Sequence, residues 1–297
     1  MTAVSLLFVC TVTVQQPSPS TPIDWKQLDR VLGRSGNLQG ESYRIGFPRS
    51  DLHVTVGKVV VKPALALGSW VAFKQTGDST AMLMGDLVLL PSEVGPVVDA
   101  LQRGGIEQTA LHNHLVGESP HVVYLHIGGR GRPVALATAV HDALARTQTP
   151  PPPPPAAAPA SAAPPPLGLD TTQIAQTIGT HGRVNGGVYQ LSVPRATSVT
   201  LDSMELPPAM GVATAINFQA TGAGTAAVTG DFVMIASEVN PVLRALRANG
   251  IVITALHSHM LSETPRLLFM HFWGEGDALK LARGLRAALD EMNIKKD

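Results

Sequence analysis

The sequence predicts an α+β protein of two homologous domains, each a mostly antiparallel sheet with helices packed against it. Three observations carry this expectation. Shifted by 145 residues, Ala81–Gly128 aligns with Ala226–Trp273 without a gap and with 21 of 48 positions identical, so one unit is written twice. Within each copy, short apolar and β-branched runs are punctuated by Gly, Pro and Asp, the pattern of strands and turns. Between those runs lie stretches with apolar residues at helical spacing and with helix start and stop signals.

Taken in order, residues 1–22 read as a signal or export segment. Ala3 to Val14 is an apolar run too short to span a bilayer, followed by Gln15, Gln16 and a Pro/Ser-rich exit. Basic residues before that run are absent, and Leu7-Phe8-Val9 lacks the small residue a lipid-attachment site needs ahead of Cys10. The expectation is an exported protein, periplasmic or extracellular, associating with a membrane only through its N-terminus. Lipid anchoring and a frayed cytoplasmic terminus are the alternatives.

Residues 23–147 form the first repeat domain. Ile23–Leu32 has helical spacing and stops at Gly33. Strands are expected at Tyr43–Phe47, Leu52–Val61, Ser69–Lys74 and Ala81–Leu90. A helix opens at Gly95-Pro96, with Val97, Val98 and Leu101 on one side, and ends at Gly105. Strands Ile106–Leu115 and Val122–Gly128 follow, then an amphipathic helix. Residues 148–168 are almost entirely Pro, Ala and Ser, with the unbroken run Pro150 to Pro155, and form a stiff spacer with no core. Residues 169–297 repeat the unit. Leu169–Ile178 is its first helix, Asn240 caps the middle one with Pro241 at its first helical position, and Leu279, Ala282, Leu285 and Leu289 mark the last.

Composition narrows the function. Lys plus Arg and Asp plus Glu are both 22, so no net charge draws the chain to nucleic acid. A single cysteine excludes an internal disulfide and a cysteine-based metal site, leaving any metal to His, Asp and Glu. Phosphate-loop, Gly-x-Ser-x-Gly, dinucleotide and His-Glu-x-x-His signatures are all missing.

Six of the ten histidines occupy equivalent positions in the two copies. The pattern His-x-His-x3-Glu-x7-His runs through His112, His114, Glu118 and His126, and again through His257, His259, Glu263 and His271. Alternate strand residues share a face, so His112 and His114 lie side by side. With a hairpin centred near Ser119, His112 falls opposite His126 and Tyr124 opposite His114, and the same reasoning gathers His257, His259, Phe269 and His271. Three imidazoles with a loop carboxylate suit a divalent transition metal: Zn, Fe, Mn, Ni or Cu. Glu118 and Glu263 serve either as the fourth ligand or as a catalytic base beside a metal-bound water. A metal-free polar binding site and a structural hydrogen-bond network are the blander readings of the same residues.

Other paired residues carry weaker signals. Asp86 and Asp231, each after a glycine in an apolar run, either orient a ligand histidine or mark a turn or bulge. Glu93 and Glu238 lie just before a helix N-terminus, where negative charge is favourable, so helix stabilisation and catalysis are both open to them. Arg49 and Arg195 suit an anion, or more commonly an ion pair.

Gly85-Asp86-Leu87-Val88, Ser92-Glu93-Val94 and Thr109-Ala110-Leu111-His112-Asn113-His114, with Glu118, Pro120 and His126, resemble the bacterial LppY/LpqO family, a family of unknown function. The resemblance covers both halves outside the N-terminal segment and the linker. It implies a tandem-domain exported protein and supplies no substrate. Two classes of function follow: a metal-dependent enzyme on a small or extracellular substrate, or a non-catalytic protein binding a ligand or an envelope partner. Pairing of the two repeats within one chain is compatible with both.

Overall fold

A computed structural model describes residues 22–152 and 167–296. The expected export segment, Cys10 and most of the proline-rich spacer lie outside the described residues. Repeat one runs α1 (Lys26–Leu32), β1 (Asn37–Gln39), β2 (Ser42–Pro48), β3 (Thr55–Val56), β4 (Val59–Val60), α2 (Pro63–Ala66), β5 (Gly68–Gln75), β6 (Ala81–Leu89), α3 (Pro91–Arg103), β7 (Glu107–His112), β8 (Glu118–Ser119), β9 (Val123–Gly131) and α4 (Pro133–Leu144). Repeat two runs α5 (Thr171–Ile178), β10 (Arg183–Asn185), β11 (Val188–Pro194), β12 (Thr200–Leu201), β13 (Met204–Glu205), a 3-10 turn (Pro208–Met210), β14 (Ala213–Gly222), β15 (Thr225–Met234), α6 (Val239–Ala248), β16 (Val252–His257), β17 (Glu263–Thr264), β18 (Leu268–Asp277) and α7 (Ala278–Leu289).

Each repeat is α+β, with a six-stranded antiparallel sheet in the order β1-β2-β5-β6-β9-β7, and β10-β11-β14-β15-β18-β16 in the second copy. Helices cover one face. In repeat one, Leu28, Val97, Leu101 and Val140 pack onto Tyr43, Ile45, Phe73, Leu87 and Ile127. In repeat two, Ile174, Val242, Leu246 and Leu285 pack onto Leu191, Phe218, Phe232 and Phe272. No helix among the described residues is long and apolar enough to cross a membrane.

Three expected elements differ. Leu52–Val61 does not join the main sheet: it forms the small hairpin β3–β4, whose β3 pairs with β8. Its β-propensity was satisfied by a local partner, since propensity does not choose between partners. The middle helices begin earlier than the Pro signals indicate, and Asn240 is the second residue of α6, not its cap. Glutamates do that work instead: Glu93 accepts from Leu90 N–H at 2.8 Å and Glu238 from Ile235 N–H at 2.9 Å. The same carboxylates pair with Arg49 at 2.7 Å and Arg195 at 2.6 Å, both arginines buried.

The other faces of the two sheets meet. Strand β6 is buried at all nine positions, which requires cover on both faces. Arms from each repeat complete the contact. Val54, Val61 and Leu65 pack with Val188 and Ala227, while Val199, Leu206 and Met210 pack with Ala72, Met82 and Met84. Hydrogen bonds lock the arms: Lys62 N–H donates to Gln219 at 2.8 Å, Gln219 Nε2 to Val60 O at 2.7 Å, and Lys74 Nζ to Glu205 O at 2.7 Å.

Candidate functional site

The pleat puts Asp86, His112, Tyr124 and His126 on the helix-free face of the first sheet, with Asp231, His257, Phe269 and His271 on the corresponding face of the second. Strand pairing brings Asp86 opposite His126 and Asp231 opposite His271. The register of β7 differs from the expected one. Ala110, not His112, lies opposite His126, and His112 lies opposite Tyr124, because a bulge sits between Gln108 and Ala110. The second copy repeats this, with Ala255 opposite His271 and His257 opposite Phe269. His112 nevertheless reaches His126 diagonally, with ring centroids 4.9 Å apart.

The two triads meet as one cluster. His112 stacks on His257 at 3.7 Å, His114 on His271 at 3.8 Å and His126 on His259 at 3.6 Å. Outside them, His114 stacks on Tyr124 at 3.5 Å and His259 on Phe269 at 3.4 Å. Two reciprocal bonds tie the loops across the join: Thr109 Oγ1 donates to His259 O at 2.5 Å and Thr254 Oγ1 to His114 O at 2.6 Å. Two groups of nitrogens lie within 4.8 Å of one another, His112 with His114 and His126, and His112 with His257, His259 and His271.

The carboxylates beside the rings are aspartates. Asp86 Oδ2 lies 3.5 Å from His114 Nε2 and 3.9 Å from His126 Nε2, and Asp231 Oδ2 lies 3.4 Å from His259 Nε2. Glu118 and Glu263 do not join the histidines. Glu118 faces His121 Nδ1 at 2.6 Å and accepts from Val122 N–H, while Glu263 accepts from Leu267 N–H at 2.7 Å and pairs with Arg266 at 3.1 Å. The physical reason is local: a buried carboxylate in a tight loop finds its nearest donors in that loop's own amides. Tyr124 donates its hydroxyl to Ala66 O at 3.0 Å and offers the cluster its ring face.

Burial drives the electrostatics. It holds all six histidines below their ordinary pKa, His126 at about 3 and His257 at about 4, with neighbouring imidazoles adding to the effect for His126. Burial also pushes Asp86 up to about 7, against the pull of Arg44, and raises Asp231, helped by the charge of Asp86. The rings are therefore neutral, and each has a nitrogen lone pair to offer. His271 Nδ1 lies 2.9 Å from Gly230 O, an acceptor only, so that nitrogen carries the proton and Nε2 keeps the lone pair. The close approach needs glycine, since a Cβ at Gly230 would strike Ala215 O on the adjoining strand. Among the described residues, ten of the thirteen buried side-chain atoms without a hydrogen-bond partner belong to these six histidines and two aspartates.

Beside the cluster, a cleft of ≈ 1210 Å³ opens between the two sheets, and its lining includes Asp86, His114, His126, Asp231, His259 and His271. Its wall includes Arg44 and Trp70, which motif reasoning did not single out. The signal was the alternation in β2 and β5, which puts both residues on the helix-free face.

The family model described as Domain of Unknown Function (DUF1259) matches residues 26–146 and again 172–291, and the chain belongs to this family. None of the matches carries the LppY/LpqO name. No curated protein matches the chain. Among solved structures, the trimeric bacterial microcompartment shell protein PduB is 13% identical with a TM-score of 0.24, and the match covers 90% of this chain and 97% of that one. EtuB from Clostridium kluyveri is 11% identical with a TM-score of 0.20, covering 86% and 90%. The double-ringed trimeric shell protein MSM0271 is 12% identical with a TM-score of 0.19, covering 75% and 88%. Likenesses at these TM-scores carry no argument about role.

Proposed function

We propose that the protein is a non-catalytic binding protein for divalent transition metal, with one histidine-rich centre built jointly by its two repeats. The carrying observation is the set of buried, partnerless imidazole nitrogens on two facing sheets. Leaving such groups without partners is expensive in a folded interior, and a cation shared between neutral imidazoles removes that cost. The donor set suits Zn, Cu, Ni or Fe better than Mn, because imidazole is a softer ligand than carboxylate. Asp86 and Asp231 would orient the rings or complete the coordination. Binding is favoured over hydrolysis by the commitment of Glu118 and Glu263 to their own loops, which deprives the hydrolytic reading of its base.

The test is metal analysis of untagged protein. After reconstitution, the wild type holds stoichiometric metal, His112→Ala with His257→Ala loses most of it, and His141→Ala, on the outer helix α4, keeps it. Wild-type content below about 0.1 ion per chain, the level of trace contamination for a competent site, overturns the reading.

A further inference from the structure

We propose that the cleft beside the histidine cluster binds a small, hydroxyl-bearing organic anion whose carboxylate or phosphate pairs with Arg44. The proposal goes beyond the metal reading and does not need it, since Arg44 belongs to neither nitrogen group.

Arg44 Cζ sits over the Trp70 ring, 3.6 Å from its centroid, and Nη1 donates to Ala209 O at 2.6 Å. Among the described residues no carboxylate forms an ion pair with it, and its other N–H groups have no protein acceptor. Repeat two shows what the backbone contact alone demands. There the corresponding residue is Gln190, whose Nε2 donates to Ala64 O at 2.8 Å, the counterpart of the Arg44 bond. A neutral amide therefore suffices to hold an arm, so that contact does not require the charge of Arg44, which meets Asp86 only through space and forms no ion pair with it. Trp70 corresponds to Ala215, so the ring that fixes the guanidinium plane is also confined to one side.

A half-buried guanidinium on the wall of a cleft, with no carboxylate bonded to it, has N–H groups to offer, and a carboxylate or phosphate taking two parallel N–H bonds is its usual complement. Arg183 also lines the cleft and adds positive potential. Asp86 lies directly across from Trp70 on β6 and its charge acts on Arg44, but burial raises its pKa to about 7 and raises that of Asp231, which lessens their opposition to an anion there. Asn37, Gln39, Asn185 and Asn217 add polar groups to the lining; Gln39, Asn185 and Asn217 each donate one bond within the protein, to Asn37, Gln190 and Leu65, and their remaining amide valences suit ligand hydroxyls.

The full chain, with and without metal, is titrated calorimetrically with gluconate, glucuronate, glucose 6-phosphate and neutral glucose. Trp70 fluorescence is a parallel readout, with Trp70→Phe as its control. At least one of the three anions binds about tenfold or more tightly than glucose, the margin expected of a buried charge-assisted pair. Whether the carboxylates or the phosphate dominate identifies the ligand's anionic group. Arg44→Gln, which copies repeat two, removes the preference, Arg44→Lys keeps part of it, and both hold wild-type metal. The proposal is overturned if no anion outbinds glucose, or if the preference survives in Arg44→Gln. Loss of metal from the wild type with anion preference intact would sink the metal reading alone.

Discussion

On the shared face, repeat one presents Asp86, His112, His114 and His126, and repeat two presents the same four side chains as Asp231, His257, His259 and His271. Beside it, the cleft wall has Arg44 and Trp70 on one side and Gln190 and Ala215 on the other. Identity at the centre and divergence at the wall have different physical sources. The centre lies on the join, where each imidazole stacks on one from the other copy, so a change in either copy disturbs both. The wall lines the cleft, where Arg44 and Gln190 each touch the other copy through a backbone carbonyl, a contact that either side chain can make, so the copies can differ there. Duplication has thus produced one symmetric centre with an asymmetric approach.

The largest expected effect comes from separating the copies. Residues 22–152 and 167–296, expressed apart, each lose half of the histidine cluster and expose a face that the other covers. Neither half is expected to hold metal at the level of the full chain, and mixing them should restore most of it, as read by metal analysis across a gel-filtration profile. Full capacity in each isolated half would replace the shared centre with two independent ones.

That shared centre marks the limit of what was legible in the sequence. The duplication, most strands and the outer helices follow from local periodicity, which encodes parity and burial. The face shared by His112 and His126 was legible for the same reason. Their register was not, because a bulge at Gln108 and Ala110 shifts the pairing without leaving a motif. Glu118 was read as a ligand from spacing alone, yet direction within a loop is set by the nearest amide donors. Asp86, behind a glycine in a strand buried on both faces, carried the better signal: a carboxylate there must face a partner. The meeting of the two copies is a long-range fact with no local trace beyond the apolar residues on both faces of β6.

Acid should next weaken the join. In metal-free protein the six histidines are held neutral by burial, whereas in the unfolded chain they titrate near 6.5. As pH falls below that value the unfolded state binds more protons, so stability falls. Asp86 and Asp231 act in the opposite sense, because their raised pKa values let the folded state take up protons first. Six groups outweigh two, at about 1.4 kcal/mol per group and pH unit as an upper bound. A melting temperature that drops by many degrees between pH 7 and pH 5 fits this account, and a flat profile would show that the histidines are not enclosed in solution.

The buried ion pairs allow a finer comparison. Arg49 pairs through Nε and Nη2 with Asp51 and through Nη1 and Nη2 with Glu93, whereas Arg195 has Glu238 as its one carboxylate, with Nη1 also donating to Val233 O, and its Nε is buried without a partner. Glu93→Gln and Glu238→Gln should each destabilise the chain by about 3 kcal/mol or more, as expected when one member of a buried pair is removed. Thr197 occupies the place of Asp51 in repeat two. Thr197→Asp should stabilise by about 1 kcal/mol by giving Nε an acceptor. Urea denaturation distinguishes the outcomes, and a neutral Thr197→Asp would mean that Arg195 already satisfies its Nε with water.

The smallest effect tests the symmetry of the join itself. Thr109 and Thr254 donate across the interface to the carbonyls of His259 and His114, at nearly equal lengths. Valine keeps the shape of threonine and removes the donor, so each of Thr109→Val and Thr254→Val should cost about 1 kcal/mol in urea denaturation. If the two bonds act independently the double variant costs their sum, and a deficit measures the coupling between them. Both carbonyls belong to histidines of the cluster, so loosening them should weaken metal retention a few-fold as well. Equal losses from the two single variants would support the twofold character of the centre. A loss confined to one would show that the asymmetry of the wall, with Arg44 and Trp70 on one side, extends into the centre.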